Sequence, residues 1–189
     1  MKLIFKGKFD GNPESLPCGQ HHPGAVKFKE FDNPKSLALF GNLLAFVLIS
    51  IFMIIFIVYT GSSVTHLTWA CLLALLVSFP HEILHAICFR ESVYLYTNWK
   101  QGMLFVVGPE VMSKRRFIFM SLLPNLIFGF IPYLIALLNP TLSFWAVFGA
   151  LTIGMGAGDY CNIFNAITQI PNGAKTYLYQ FNSYWYIPY

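Results

Sequence analysis

Long apolar runs, separated by short polar stretches, dominate the pattern of this chain. A helix that crosses a bilayer needs about 20 predominantly apolar residues. Four runs reach that length, at residues 37–59, 67–89, 117–138 and 142–167. The first run contains no ionisable residue, whereas the second contains two histidines and a glutamate and the fourth contains one aspartate. The pattern predicts an all-α membrane protein with about four transmembrane helices.

The connection between the second and third runs has a different pattern. Residues 93–97 and 103–107 are rich in strand-forming side chains, and they flank the sequence NWKQG at 98–102. Two such runs around a glycine-containing loop indicate a short β-hairpin over residues 93–107. A plain amphipathic connector is an equally good interpretation. If the hairpin forms, its unpaired edge is suited to holding an extended peptide, as proteases often do.

Charge is scarce, and its placement predicts the topology. Of the 189 residues, 56% are hydrophobic and only 11% are charged, against roughly a quarter charged in soluble domains. Six of the twelve Lys and Arg residues precede the first run, five lie between the second and third, and one follows the fourth. Because Lys and Arg concentrate on the cytoplasmic side, both termini are predicted to be cytoplasmic. The net charge of +4 follows from this topology, and no nucleic-acid partner is expected.

The runs divide the chain into three parts. Residues 1–36 form a cytoplasmic N-terminal segment, which lacks the continuous apolar stretch of a secretory signal peptide. Residues 37–170 form a transmembrane core, and residues 171–189 form a tail rich in tyrosine that suits a membrane interface. We therefore predict a multi-pass protein of the cell (cytoplasmic or inner) membrane, with the lipid bilayer as its surroundings.

The second run contains the sequence FPHEILHAICF at residues 79–89. Ionisable side chains within a membrane span are costly and mark a functional site by default. His81 and His85 are four residues apart, so they share one helix face and their rings can converge on one ion. Glu82 points about 100° away, beside the pair. This is the HExxH pattern of zinc peptidases, in which the glutamate takes a proton from the metal-bound water.

A third metal ligand follows from the scarcity of acidic residues. Apart from Glu82, only Asp159 lies within a predicted span, and the other histidines lie outside the spans. With a rise of about 1.5 Å per residue, Asp159 in the fourth run lies level with His81 and His85 in the second. We predict that these three residues bind Zn and leave a fourth position open for water.

Several other features of the spans bear on this site. Asn125 is the polar residue of the third run best placed to face the bundle interior, and Tyr160 and Asn162 follow Asp159, so all three are candidates to contact a ligand or substrate. Prolines interrupt the third run, and these breaks either kink the helix beside a water-filled cavity or are tolerated packing features. The spacing of Gly154 and Gly158 favours close helix packing.

Together, HEILH within a span, the hairpin, the proline-broken third span and GAGDYCNIFN at residues 156–165 resemble a bacterial membrane family known as putative zincin peptidases. That family is similar to the site-2 protease class of intramembrane metalloproteases. The resemblance covers roughly residues 67–170 and implies a zinc ligand at Asp159. In site-2 proteases the aspartate usually precedes a glycine, whereas here Gly158 precedes Asp159 and Tyr160 follows it.

The sequence thus predicts a membrane-embedded zinc metallopeptidase. A zinc-activated water would hydrolyse a peptide bond in or next to the membrane, with Glu82 as general base, and the substrate would be another membrane protein or peptide. Two alternatives stay open: a non-catalytic zinc-binding membrane protein that acts as a sensor or scaffold, and a small transporter. The sequence does not predict the oligomeric state.

Overall fold

The computed structural model describes residues 2–31, 33–98, 102–180 and 182–188. Helices make up most of this part of the chain. The α-helices found in it are α1 (Pro34–Thr60), α2 (Leu67–Ile87), α3 (Lys114–Pro124), α4 (Ile131–Leu138), α5 (Ser143–Met155) and α6 (Ala157–Gln169). A π-helical segment, Asn125–Phe130, joins α3 to α4 without interruption.

Three helices are long and apolar enough to cross a membrane: α1, α2 and the continuous unit from Lys114 to Leu138. The pair formed by α5 and α6 passes the same test only when it is taken as one span, and it is bent by 54°. The predicted run at 142–167 is therefore interrupted rather than straight. The break falls at Gly156, and glycine is a common cause of a sharp helix kink.

Helix α5 lies at the centre of the bundle, where it packs against α1, α2, α4 and the π-helical segment. Its small residues make this possible. A Cβ atom at Gly149 would lie 2.7 Å from Tyr133 Cβ and 2.8 Å from the Gly129 carbonyl oxygen. Small residues at such contacts let helix backbones approach closely, which favours van der Waals packing between apolar helices.

Two small sheets accompany the helices. Their strands are β1 (Lys2–Lys8), β2 (Val26–Lys27), β3 (Ser92–Asn98), β4 (Met103–Val107), β5 (Met112–Ser113), β6 (Lys175–Tyr179) and β7 (Asn182–Tyr186). One sheet has the order β1-β3-β4 and the other has the order β2-β7-β6-β5.

The strands of the predicted hairpin are present as β3 and β4, which pair antiparallel. Residues 99–101 of its predicted turn lie outside the described residues. The other strands were not predicted from the sequence. Strand β1 pairs parallel with β3, and β6 and β7 form a hairpin within the aromatic tail, so the chain is less purely helical than predicted.

All these strands lie at one end of the helices. Strands β3, β4 and β5 connect the end of α2 to the start of α3, and they pair with β1 and β6 from the two terminal segments. The N-terminal segment also packs on the tail: the His22 ring stacks on Tyr186 with centroids 4.0 Å apart. The first and last described segments are therefore on the same side of the bundle.

A partly buried ion pair connects the segment after β4 to α3 and to the residue that follows α2. Arg116 forms an ion pair with Glu110, and its Nε donates to the Cys88 carbonyl at 2.8 Å. Burial alone would raise the pKa of Glu110, but hydrogen bonds from the Glu91 N–H, the Arg116 guanidinium and the Arg90 N–H hold that pKa below its usual value. Because Glu110 follows β4 closely in sequence, this ion pair restricts how β4 sits against α2.

Candidate metal centre

The two histidines of HEILH lie one turn apart on α2 and are both buried. Their ring centroids are 4.9 Å apart. Nδ1 of His85 donates to the carbonyl oxygen of Met120 on α3, at 2.9 Å. With its proton on Nδ1, a neutral His85 ring has its Nε2 lone pair free to bind a metal.

Asp159 lies in the first turn of α6, just after the bend at Gly156. Its Oδ2 is 3.1 Å from Nε2 of His81, and its Oδ1 is 3.2 Å from Nε2 of His85. The ligand atoms of the three residues all lie within 4.8 Å of one another, and in the described ranges no other group of three or more His, Cys, Asp or Glu does so. The structure thus brings together the three residues predicted from the sequence.

The donor atoms of this group fit a zinc ion. Two imidazole nitrogens and one carboxylate oxygen form the kind of ligand set that catalytic zinc sites use, with a further position for water or substrate. Mg²⁺ and Ca²⁺ instead prefer sets made of oxygen ligands alone. The hydrogen bond from His85 to the Met120 carbonyl is the usual second contact of a metal-binding histidine.

Glu82 follows His81 on α2 and points towards the smaller sheet. Its Oε2 accepts a hydrogen bond from the backbone N–H of Val106 on β4, at 3.0 Å. Strand β4 is at the edge of its sheet in the described chain. The N–H of Val106 therefore points away from β3, and the open edge of β4 lies against Glu82 beside the metal ligands.

Asn125 begins the π-helical segment and is 1% exposed. Its Nδ2 donates to Asp159 Oδ2 at 2.8 Å and to the Ser121 carbonyl at 2.9 Å. Asn125 was predicted to face the bundle interior and was one of three candidates to contact a ligand or substrate. In the structure it contacts one of the candidate metal ligands directly.

The other two candidates have no comparable contact. The Tyr160 ring packs near Phe130, with centroids 6.4 Å apart, and its hydroxyl is buried without a hydrogen-bond partner among the described residues. Asn162 is half-buried one turn beyond Asp159, and we find no hydrogen bond from its side chain within the described part of the chain. A role for either residue stays a prediction.

Some contacts at this site could not be found from residue types. The Met120 carbonyl and the Val106 N–H are backbone groups, which every residue carries, so the sequence gives no signal for them. Gly156 lies between Gly154 and Gly158, whose spacing was interpreted as favouring close helix packing. Nothing in that pattern indicated a bend at this glycine or its approach to Asn125.

Comparison with known protein families shows which of them this chain resembles. A family described as "Putative zincin peptidase" matches residues 74–175, which is more than half of the chain and includes α2 from Ala74, the β3–β4 hairpin and all of α6. No curated protein and no solved structure matches. The family resemblance seen in the sequence is confirmed, whereas the similarity to site-2 proteases stays a prediction.

Proposed function

This chain belongs to the family of putative zincin peptidases, and we propose that it is a membrane-embedded zinc metallopeptidase that hydrolyses a peptide bond in or next to the membrane. One observation carries the proposal: the ligand atoms of His81, His85 and Asp159 converge within 4.8 Å, with Glu82 directly beside the first of them in sequence. The two histidines are buried.

His81, His85 and Asp159 would hold the zinc ion. Bound there, zinc would polarise the carbonyl of the scissile bond and lower the pKa of a water molecule, so that loss of a proton turns that water into a nucleophile. Glu82 takes the proton of that water on its carboxylate and delivers it to the leaving amine nitrogen. Since Oε2 of Glu82 accepts the Val106 N–H, Oε1 is the oxygen available for the proton. One water is consumed, and a carboxyl and an amine are produced.

The proposed location is the cell (cytoplasmic or inner) membrane, with both termini in the cytoplasm. Two observations support it. The candidate spans are long and apolar enough to cross, and the Lys and Arg residues fall on one side of them. Strands from both terminal segments pair with strands in the connection between α2 and α3. This pairing agrees with termini that lie on the same side of the membrane as that connection. The ligand residues then lie within the bilayer, so the substrate is a membrane protein or membrane-associated peptide.

We further propose that the substrate binds as an extended strand along the open edge of β4. In an antiparallel pair, alternate N–H groups face outward, so Leu104 and Val106 direct theirs to the open edge.

A Leu104→Pro variant removes one outward N–H without touching Glu82, and proline is tolerated on an edge strand. We expect KM for a cleaved fluorogenic membrane peptide to rise by about 2–10-fold, the value of one hydrogen bond. Unchanged KM, in a variant that retains wild-type zinc content, would mean that this edge does not bind substrate.

Metal content tests the proposed function without a known substrate. Elemental mass spectrometry on the detergent-purified chain should find about one zinc per molecule, and little or none in His81→Ala and Asp159→Ala. His21→Ala, in the N-terminal segment, is the matched control and should keep its zinc. Absence of zinc from the wild type, or its retention in Asp159→Ala, would contradict the proposed ligand set.

A further inference from the structure

The hydrogen bonds of Asn125 define how its side-chain amide is oriented. Nδ2 lies 2.8 Å from Asp159 Oδ2 and 2.9 Å from the Ser121 carbonyl oxygen. Carboxylate and carbonyl oxygens only accept hydrogen bonds, so the nitrogen of the amide, and not its oxygen, must face them. The amide therefore spans two helices, joining the end of α3 to the first turn of α6.

This orientation leaves the other end of the amide without a partner. Asn125 Oδ1 is buried and accepts no hydrogen bond from the described residues. A buried polar atom without a partner is unfavourable and calls for an explanation. An apolar side chain would avoid that cost at this position, so helix packing alone does not account for an asparagine. The contact with Asp159 does account for it.

Gly156 provides the space for this side chain. A Cβ atom at position 156 would overlap Asn125 Oδ1 and crowd the rest of the amide group. The φ angle of Gly156 is −76°, which any residue can adopt, so backbone conformation does not require glycine here. Gly158, two residues further on, has no atom within 4 Å of a Cβ placed there. Of these two glycines, Gly156 is the one at which a Cβ atom would meet Asn125.

The π-helical segment places Asn125 at this contact. Position 125 follows Pro124 and opens the segment Asn125–Phe130, and its backbone N–H donates to the Leu122 carbonyl. Its side chain, in turn, donates to the carbonyl of Ser121. Single π-helical turns often occur at functional sites because they redirect side chains that a regular helix would aim elsewhere.

From these contacts we propose that Asn125 is a positioning residue that holds the Asp159 carboxylate as a metal ligand, and that Gly156 is glycine because any side chain there would displace Asn125. The inference rests on the zinc site proposed above. Residues that hydrogen-bond a metal ligand typically contribute about 10–100-fold to metal affinity. Asn125 would act on the metal only through Asp159. The quantity to measure is therefore the affinity of the chain for zinc.

The test is a zinc titration of the detergent-purified full chain in competition with a chromophoric chelator. Asn125→Ala and Gly156→Ala should each weaken zinc binding by about 10–100-fold, whereas Gly158→Ala should bind as the wild type does. Asn125→Leu also removes the donor but keeps most of the side-chain volume. It should weaken zinc binding to the same extent as Asn125→Ala, and it provides the test if alanine impairs folding. As a control, circular dichroism and thermal unfolding of the metal-free variants show whether each variant is folded.

A double variant separates this mechanism from a general packing defect. If Gly156→Ala acts by displacing Asn125, it has nothing left to displace in an Asn125→Ala background, and the double variant should bind zinc as Asn125→Ala does. Full additivity of the two effects, or wild-type affinity in both Asn125 variants, would overturn the inference while leaving the zinc site in place. Failure of the wild type to bind zinc would overturn the proposed function and this inference together.

Discussion

Replacing Glu82 with glutamine is expected to abolish peptide hydrolysis and to leave zinc binding intact. Glutamine has nearly the shape of glutamate and its amide oxygen can still accept the Val106 N–H, but it cannot take a proton from water. Removal of a general base typically lowers the rate by about 10²–10⁴-fold. The measurement is turnover of a panel of fluorogenic single-span peptides in detergent micelles, beside zinc content of the same preparation.

The control for this variant is Glu91→Gln, which changes an exposed glutamate beyond the end of α2. It should retain both activity and zinc. Wild-type activity in Glu82→Gln would remove the proposed mechanism, because the variant has no carboxylate at this position to take the proton. A wild type that binds zinc through His81 and Asp159 and cleaves none of the panel would favour the non-catalytic sensor or scaffold.

The second large effect is expected at Gly149, which is far in sequence from HEILH. Alanine there would bring its Cβ to 2.8 Å from both the Gly129 carbonyl oxygen and the Tyr133 backbone nitrogen. Backbone atoms cannot rotate away as a side chain can, so α5 would have to separate from the π-helical segment and α4. Overpacking of this kind costs about 1–3 kcal/mol and occasionally more. Thermal unfolding in detergent should show a clear decrease in Tm.

Gly41→Ala is the matched control, because Gly41 also lies within a helix, α1, and a Cβ there meets no atom within 4 Å. Alanine favours the helix over glycine by about 0.5–1 kcal/mol, so Tm should stay equal or rise slightly. If Gly149→Ala unfolded at the wild-type temperature, the packing of α5 in the bundle would have to be looser than described.

The residues that α2 contributes to the site were predictable from the sequence. For Asp159, the residue could be predicted but its contacts could not. His81, Glu82 and His85 lie within one helical turn and a half, so spacing alone predicts their relative directions. Asp159 could be selected because so few acidic residues lie in the apolar runs. Its contact with Asn125 depends on a π-helical turn and on the bend at Gly156, and neither has a sequence pattern specific enough to predict.

Strand pairing, too, was predictable only between neighbouring segments of the chain. The β3–β4 hairpin was predicted because its two halves are adjacent in sequence and rich in strand formers. Strand β1 has lysine at three of its seven positions, so its sequence does not favour a strand strongly. It joins the sheet by pairing with β3. Pairing between segments so far apart is decided by tertiary context rather than by local propensity. The β6–β7 hairpin of the aromatic tail was not predicted either, and an interfacial position for that tail stays a prediction.

The pairing of β1 with β3 also sets an order for biosynthesis. Lys2 lies opposite Ser92, so the first strand has no partner until both α1 and α2 have been synthesised and have left the ribosome. Chain segments so widely separated close late, because the loop between them must be ordered first. Strands β3 and β4 are neighbours in sequence and can pair first, whereas β1 can join them only by closing a loop that contains both α1 and α2.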